Sequence, residues 1–417
     1  MATLGDITKY LRDTLTMVLA GGRGERLYPL TRDRAKPSVP FGGIYRIIDF
    51  TLSNCLNSGI RKIYLLTQYK SISLNRHISF GWNIFAGELD EFITAIPPQQ
   101  RSAEVWYRGT ADAIYQNIYT LNEHRPQRVL ILSGDHIYKM NYLDMLQYHE
   151  ENDAEITVAC VEQDIERAAG QFGIVEADAN GAVIGFEEKP AQPKQTPHDP
   201  ARTFCNMGVY VFNTETLIRL VIEDAKSTRT HHDFGKDIIP KSIHKHRVFA
   251  YDFRDENRKE VKYWRDIGTL DAYYEANMDL VAVEPIFNLY DKDWPIRTYH
   301  EQYPPAKTVF ADDFEGGRRA QVLDSLVSNG VIISGAKVAR SILSPGVYVS
   351  EYATVENSIL LDGVHIGKGA VIKKAIIDKR VSIPDGFQLG VNIDSDKKRF
   401  TVSEGGVVVI PKGMRIE

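Results

Sequence analysis

Cysteine is scarce in this chain. Its 417 residues carry three, Cys55, Cys160 and Cys205, odd in number and far apart. That pattern excludes a disulfide framework and suits reduced thiols. Long apolar runs are missing too. The first twenty residues hold only TMVLA, which runs straight into GGRGER, so neither a secretory h-region nor a bilayer-spanning segment is expected. No large charge excess exists either, the formal net charge being −5. A basic surface for nucleic acid is therefore not expected, and any anion site must be local. These absences predict a cytoplasmic protein with no nucleic-acid and no membrane partner. What is present is the balance of a soluble globular protein, 43% hydrophobic and 25% charged. The length predicts two domains.

Residues 1–280 alternate short apolar runs (TMVLA, KIYLLTQ, RVLILSG, ITVACV) with longer helix-like stretches such as Asp112 to Glu123 and Tyr142 to Asn152. Such alternation predicts an α/β domain with a Rossmann-like, largely parallel sheet covered by helices. Sheets of this kind bind ligands beyond the carboxyl ends of their strands, and both AGGRG and SGDH fall at such ends. KPAQPKQTPHDPAR, with four prolines in 14 residues, reads as an exposed loop because strand-like sequence resumes at CNMGVYVF.

From about Leu326 the texture changes. Ser325-Leu326-Val327 returns as Ser341-Ile342-Leu343, Ser358-Ile359-Leu360 and Ala375-Ile376-Ile377, at spacings of 16, 17 and 17. Ile333, Val349, Ile366 and Ile383 step by the same intervals. The repeat predicts a β-solenoid over 326–417 in which each coil takes three hexapeptide faces, with a β-sandwich as the alternative. Residues 281–325 read as the connection between the domains.

The stretch MVLAGGRGERLYPLTRDRAKPSVPFGG poses the functional question. It matches neither a Walker loop, having no Gly-Lys-Ser/Thr, nor the dinucleotide fingerprint, whose third glycine is missing. What remains is a strand, a glycine turn and then Arg23, Arg26, Arg34 and Lys36 within 14 residues. Backbone N–H groups of Gly21, Gly22 and Gly24 form an anion nest in such a turn, and arginine forks add bidentate phosphate contacts. Taken alone, the turn could equally carry solvated arginines.

It does not stand alone. Arg23-Gly24-Glu25-Arg26-Leu27 with Lys36-Pro37 resembles the sugar nucleotidyltransferases. Arg46-Ile-Ile-Asp-Phe50, Trp106-Tyr-Arg-Gly-Thr-Ala-Asp-Ala113, Asp135 in SGDHIYKMNY, Glu188-Lys189-Pro190, His232-Asp-Phe-Gly-Lys-Asp237 and Tyr263-Trp-Arg-Asp-Ile-Gly-Thr269 follow in the family's order. Trp294-Pro-Ile-Arg-Thr298, Pro304-Pro-Ala-Lys307 and the solenoid extend the likeness over essentially the whole chain. Together these motifs resemble the branch that joins ATP and glucose 1-phosphate, which implies a hexapeptide-type left-handed parallel β-helix at the C-terminus.

The resemblance implies roles. Arg23 and Lys36 would hold the triphosphate with the glycine loop and Arg26. Asp135 and Asp266 would share one Mg2+, a hard cation that suits carboxylates and phosphates. Lys189 would bind the phosphate of glucose 1-phosphate, whose sugar would meet Tyr107, Gly173, Glu188, Asn206 and Asp233. Gln68 and Trp106 match loop residues linked to nucleotide binding and regulation. Catalysis without a nucleophile would rest on positioning and charge neutralisation, with Asp135, Arg23 and Lys189 at its centre. Asn206 departs from the serine usual in this family.

Such enzymes are commonly homotetramers governed by small metabolites, and Arg32 and Arg34 fall in the segment that binds those effectors. Asp33 stands where some relatives have lysine. An acidic residue there favours a monophosphate or carboxylate effector, such as fructose 6-phosphate or pyruvate, over a bisphosphate. Three rival readings are an enzyme making a UDP-, dTDP- or GDP-sugar, a hexapeptide acyltransferase using His365, and a non-catalytic regulatory subunit.

Overall fold

In the computed structural model, which describes residues 4–99, 106–257, 262–309, 311–312, 314 and 317–416, Thr14–Ala20 forms a strand inside a nine-stranded sheet. Aliphatic residues fill it on both faces, as a strand covered by helices on each side requires. It pairs in parallel with Lys62–Thr67 and with Arg128–Ser133, and Phe92–Ile96 continues the parallel order beyond Lys62–Thr67. One face packs Val18, Leu65 and Leu132 against Ile48 and Leu52 of the helix Ile47–Asn57. The other packs Met17 and Ile131 against Ile114 and Leu217.

Beyond Arg128–Ser133 the sheet becomes antiparallel. Arg202–Asn213 runs against that strand, Ile156–Asp164 against Arg202–Asn213, and the hairpin of Gly173–Ala177 and Val183–Glu188 completes the edge. The parallel order expected from the alternating pattern thus holds where the glycine turn sits, while the far half is mostly antiparallel, with Val248–Asp252 returning to parallel pairing beside Ile156–Asp164. The stretch read as one helix from Asp112 to Glu123 divides into Thr110–Tyr115 and Ile118–His124. Asn117 breaks it by turning its amide onto the Ala113 carbonyl (2.8 Å) and the Tyr107 hydroxyl (3.1 Å).

The repeat forms a parallel β-helix of three sheets, with five, five and six strands. Ile333, Val349, Ile366 and Ile383 stack in one sheet, and Leu326, Ile342, Ile359 and Ile376 in another. The recurring serine has a physical reason. Ser325, Ser341 and Ser358 each accept, on Oγ, the amide of the matching residue one coil on, at 3.0, 3.1 and 3.2 Å. Each hydroxyl also donates to the carbonyl two residues before it. A backbone amide at each corner is thereby satisfied without water. Lys307–Val309 and Gln321–Leu323 already pair into the helix, so the first coil begins within the segment read as a connection. We place the connection at 281–306.

The β-helix lies against the loop that follows the glycine turn. Leu27, Leu30 and Val39 share one apolar cluster with Ile342, Ile359 and Val409. Within this seam the Arg34 guanidinium meets both oxygens of Asp378 at 2.6 and 2.7 Å, with side chains only 6% and 2% exposed. Removing one partner of a buried pair strands a charge. Asp378→Ala should therefore lower stability by about 3–5 kcal/mol, read in denaturant unfolding, whereas the double change Arg34→Met with Asp378→Leu should recover most of the loss. An Asp378→Ala protein as stable as the parent would show that the pair does not hold the seam.

Candidate active site

Four strand ends and their loops surround a cavity of about 870 Å3. Its floor is the turn after Thr14–Ala20, where Gly21, Gly22 and Gly24 all line the space. Gly24 has φ +63°, a conformation that opens the short 3-10 turn Glu25–Leu27 and that a side chain would strain. Arg26 lines the same cavity, and its Nη2 would lie 2.9 Å from a Cβ placed on Gly268. Lys36 follows from a second 3-10 turn, Lys36–Ser38, with Pro37 inside that turn.

Lys36 is the centre of the site. Its Nζ lies 2.8 Å from Asp135 Oδ2 and 3.1 Å from Asp266 Oδ1, with its side chain only 9% exposed. Asp135 stands just past the end of Arg128–Ser133, and the Ser133 hydroxyl donates to its other oxygen. Asp266 arrives on a two-stranded ribbon in which Trp264–Asp266 runs antiparallel to His136–Tyr138 and Asp266 sits opposite His136. His136 Nε2 lies 3.5 Å from Asp135 and 3.8 Å from Asp266. Burial alone would raise the Asp135 carboxyl, but the ammonium of Lys36, with His136 and Ser133, outweighs it and holds that group well below the usual carboxylate range. Burial would also lower the Lys36 ammonium, yet the two carboxylates prevail and raise it.

This arrangement fits a divalent cation. Asp135, His136 and Asp266 each offer a ligand atom within 4.8 Å of the others. A positive group, the Lys36 ammonium, already stands between the two carboxylates in the manner of a counter-ion. Two oxygen ligands and neighbouring phosphates are what Mg2+ takes.

The remaining expected residues divide into two groups. Arg23, Gln68, Tyr107 and Asp233 line the cavity together with Asp135 and Lys36. Arg23 leans toward the rim, its guanidinium 4.9 Å from the Tyr69 ring centroid and Nη2 3.2 Å from the Tyr69 hydroxyl. Tyr69 in turn stacks on Trp106 at 4.9 Å. Gln68 Nε2 reaches the Tyr107 carbonyl at 3.5 Å.

The second group lies on the antiparallel half. Gly173 pairs with Glu188 across the hairpin. Burial and the nearby Asp233 push the Glu188 carboxyl up, against a downward pull from Lys189. Lys189 follows with φ +53°, its amide donating to the Phe172 carbonyl at 3.1 Å while its side chain is exposed. Lys189, Glu188, Gly173 and Asn206 stand outside the lining of the 870 Å3 cavity. Asn206 pairs with Cys160 at the edge of a register shift in Arg202–Asn213, beyond which the ladder resumes at Tyr210. Its Oδ1 accepts from the Gly208 amide at 3.0 Å and its Nδ2 donates to the Tyr210 hydroxyl at 2.8 Å.

Arg32 and Arg34, expected to meet effectors, both face the β-helix. Arg32 stays 41% exposed and donates to the Lys412 carbonyl at 2.5 Å. Arg34 departs from the expectation, because its guanidinium is buried against Asp378 rather than presented to a ligand. Sequence reasoning missed Tyr69, Thr110 and His136. The first and last adjoin Gln68 and Asp135 in sequence, and that adjacency was the available signal.

The fold sets this carboxylate-ammonium centre beyond the carboxyl ends of parallel strands, where sheets of this kind take ligands. Comparison with known proteins agrees. The profile described as Nucleotidyl transferase matches residues 15–282, and that described as GlmU-like, C-terminal hexapeptide matches residues 304–410. The chain belongs to the nucleotidyl transferase family. It is 52% identical over 402 residues to the glucose-1-phosphate adenylyltransferase of Koribacter versatilis, covering 96% of this chain and 95% of that one. Proteins of the same name from Rhodopirellula baltica and Shewanella frigidimarina are 51% and 50% identical over 415 residues, covering 99% of this chain and 93% and 98% of theirs. Among the described residues, no helix is long and apolar enough to cross a membrane.

Lys36→Met should leave Asp135 and Asp266 without their internal counter-ion. The variant should melt below the parent in EDTA, and Mg2+ should then raise its Tm by roughly 2 °C or more beyond the rise seen in the parent, measured calorimetrically. Equal Mg2+-dependent rises would show that the ammonium and the cation do not share one place.

Proposed function

We propose that this chain transfers the adenylyl group of ATP to α-D-glucose 1-phosphate, giving ADP-glucose and pyrophosphate. The observation that carries this reading is the Lys36 ammonium held between Asp135 and Asp266 beside a glycine turn. Such a centre neutralises charge and offers no covalent nucleophile, as direct displacement at phosphorus requires. Adenine and glucose follow from the shared name of relatives about half identical over nearly the whole chain.

A phosphate oxygen of the sugar phosphate attacks the α-phosphorus, and the bond from that phosphorus to the β-phosphate oxygen breaks. Pyrophosphate leaves with the electron pair. In this reading the amides of Gly21, Gly22 and Gly24 receive phosphate oxygens, while Arg23, Arg26 and Lys36 gather the triphosphate. Mg2+, held by Asp135 and Asp266, would draw charge from the reacting phosphates as the bond changes occur. Lys189 would neutralise the attacking phosphate, and Tyr107, Gly173, Glu188, Asn206 and Asp233 would surround the sugar. Lys189 is exposed and stands away from the nucleotide cavity, so its role requires the sugar phosphate to extend across the cleft toward the hairpin.

The same reading carries a cytoplasmic homotetramer that supplies the glucosyl donor for α-glucan synthesis and answers to small metabolites. Because Arg34 is taken up by Asp378, effector binding belongs to the rest of the seam. There Arg32 is exposed, and Arg46 and Lys379 line a second cavity of about 70 Å3. Glu301 and Asp362 line it too, and Lys379 already pairs with Asp362 at 2.8 Å, so a small anion such as pyruvate suits it better than a bisphosphate.

Pyrophosphate release from ATP and glucose 1-phosphate tests the function, with UTP, dTTP and GTP as rivals. Turnover should be fastest with ATP. Asp135→Asn should lower kcat by about 100-fold or more while leaving assembly intact. Preference for another nucleotide would redirect the assignment to a different sugar nucleotide, and near-normal Asp135→Asn turnover would overturn the metal role.

A further inference from the structure

A threonine hydroxyl links the two halves of the site. Thr110 begins the helix Thr110–Tyr115 on the nucleotide side, and its Oγ1 donates to Asp233 Oδ2 at 3.0 Å. The same oxygen accepts the amide of Phe234 at 3.0 Å. Both Thr110 and Asp233 line the 870 Å3 cavity. Asp233 holds its own loop as well, Oδ1 accepting the amides of Gly235 and Lys236 at 3.0 and 3.1 Å.

The backbones approach as closely as the side chains. The Ala111 amide donates to the His232 carbonyl at 2.8 Å, and a Cβ on Gly109 would come within 2.3 Å of that oxygen. Only glycine permits this contact. His232 itself has φ +54°, held by its imidazole against Asp224 at 2.7 Å. Strain of this kind persists where the surroundings impose it. Both oxygens of Asp233 are thus engaged within the protein, so its carboxylate shapes the loop before any sugar arrives.

The geometry points to Thr110 as a positioning residue that couples the two substrates of the reaction proposed above, on which this inference rests. A nucleotide ordering the Tyr107–Thr110 loop orders Asp233 through the shared hydroxyl, and with it the loop beside Glu188. A second substrate then meets a loop already fixed and is spared that ordering. Valine keeps the shape of threonine and removes both hydrogen bonds, leaving Asp233 Oδ2 and the Phe234 amide without their partner. Serine keeps the hydroxyl.

The test is calorimetric titration of glucose 1-phosphate, alone and with a non-hydrolysable ATP analogue, alongside steady-state kinetics. In the parent the analogue should tighten sugar-phosphate binding. In Thr110→Val that tightening should disappear and KM for glucose 1-phosphate should rise about tenfold, with a smaller change in kcat and KM for ATP. Thr110→Ser should restore both, and matching Tm values would exclude a folding defect. Thr110→Val with parental coupling and KM would overturn the clasp and leave the functional reading intact. A parent protein that bound neither ATP nor glucose 1-phosphate would instead overturn the functional reading and the clasp with it.

Discussion

One ammonium group between two carboxylates organises this molecule. Asp135 and Asp266 are brought close enough to share a cation, and without one they would repel at short range. Lys36 supplies the positive charge from within, at 2.8 and 3.1 Å. Burial opposes the charged form of Lys36 and Asp135 alike, so the arrangement survives only because each group answers the others. It also requires three remote segments to converge: the loop after the first strand, the end of Arg128–Ser133 and the ribbon carrying Asp266. Much of the fold serves that convergence. The parallel strands bring the first two together, and pairing with His136–Tyr138 brings the third.

The β-helix enters the same logic from outside. Lys36 lies two residues beyond Arg34, which is clamped to Asp378, and Leu30 and Val39 on either side are buried against the coils. The loop carrying the central ammonium is therefore held at both margins by the second domain. A loop of this length with four arginines would be mobile if solvated, since charged surface segments bury too little to offset their conformational entropy. A rigid solenoid face gives it a fixed support.

Much of this was legible in the sequence, for physical reasons that also mark where legibility ended. The coil repeat was visible because each coil places the same residue types in the same register, and even the serine ladder showed as a spaced marker. The glycine turn and Asp135 were visible because both follow apolar strands. The antiparallel half was obscured because its strands have the same aliphatic composition as the parallel ones, and partner choice leaves no local trace. The start of the first coil was missed because Lys307–Val309 is a three-residue strand among prolines. Arg34 was misjudged for a different reason. A cation in a phosphate-rich motif looks available until the fold supplies Asp378, and a partner 344 positions away has no local signature. Thr110 and His136 were passed over because a threonine before a helix and a histidine after an aspartate are common surface residues.

Asn206 shows how a departure from the family pattern is absorbed. A side-chain amide offers one accepting oxygen and two N–H donors. Here the oxygen is occupied by the Gly208 amide and one donor by Tyr210, so the side chain spans the register shift that follows it. In the proposed reading the second N–H is left for a sugar hydroxyl. Serine in the same place has a single O–H donor, and binding the sugar with it would forgo the contact to Tyr210. Under the proposed function asparagine would therefore separate two duties that serine would have to share, one spanning the register shift and one meeting substrate. Under that reading sugar recognition would depend on the strand's shape as much as on the group that touches the ligand, which makes the change compatible with the same substrate.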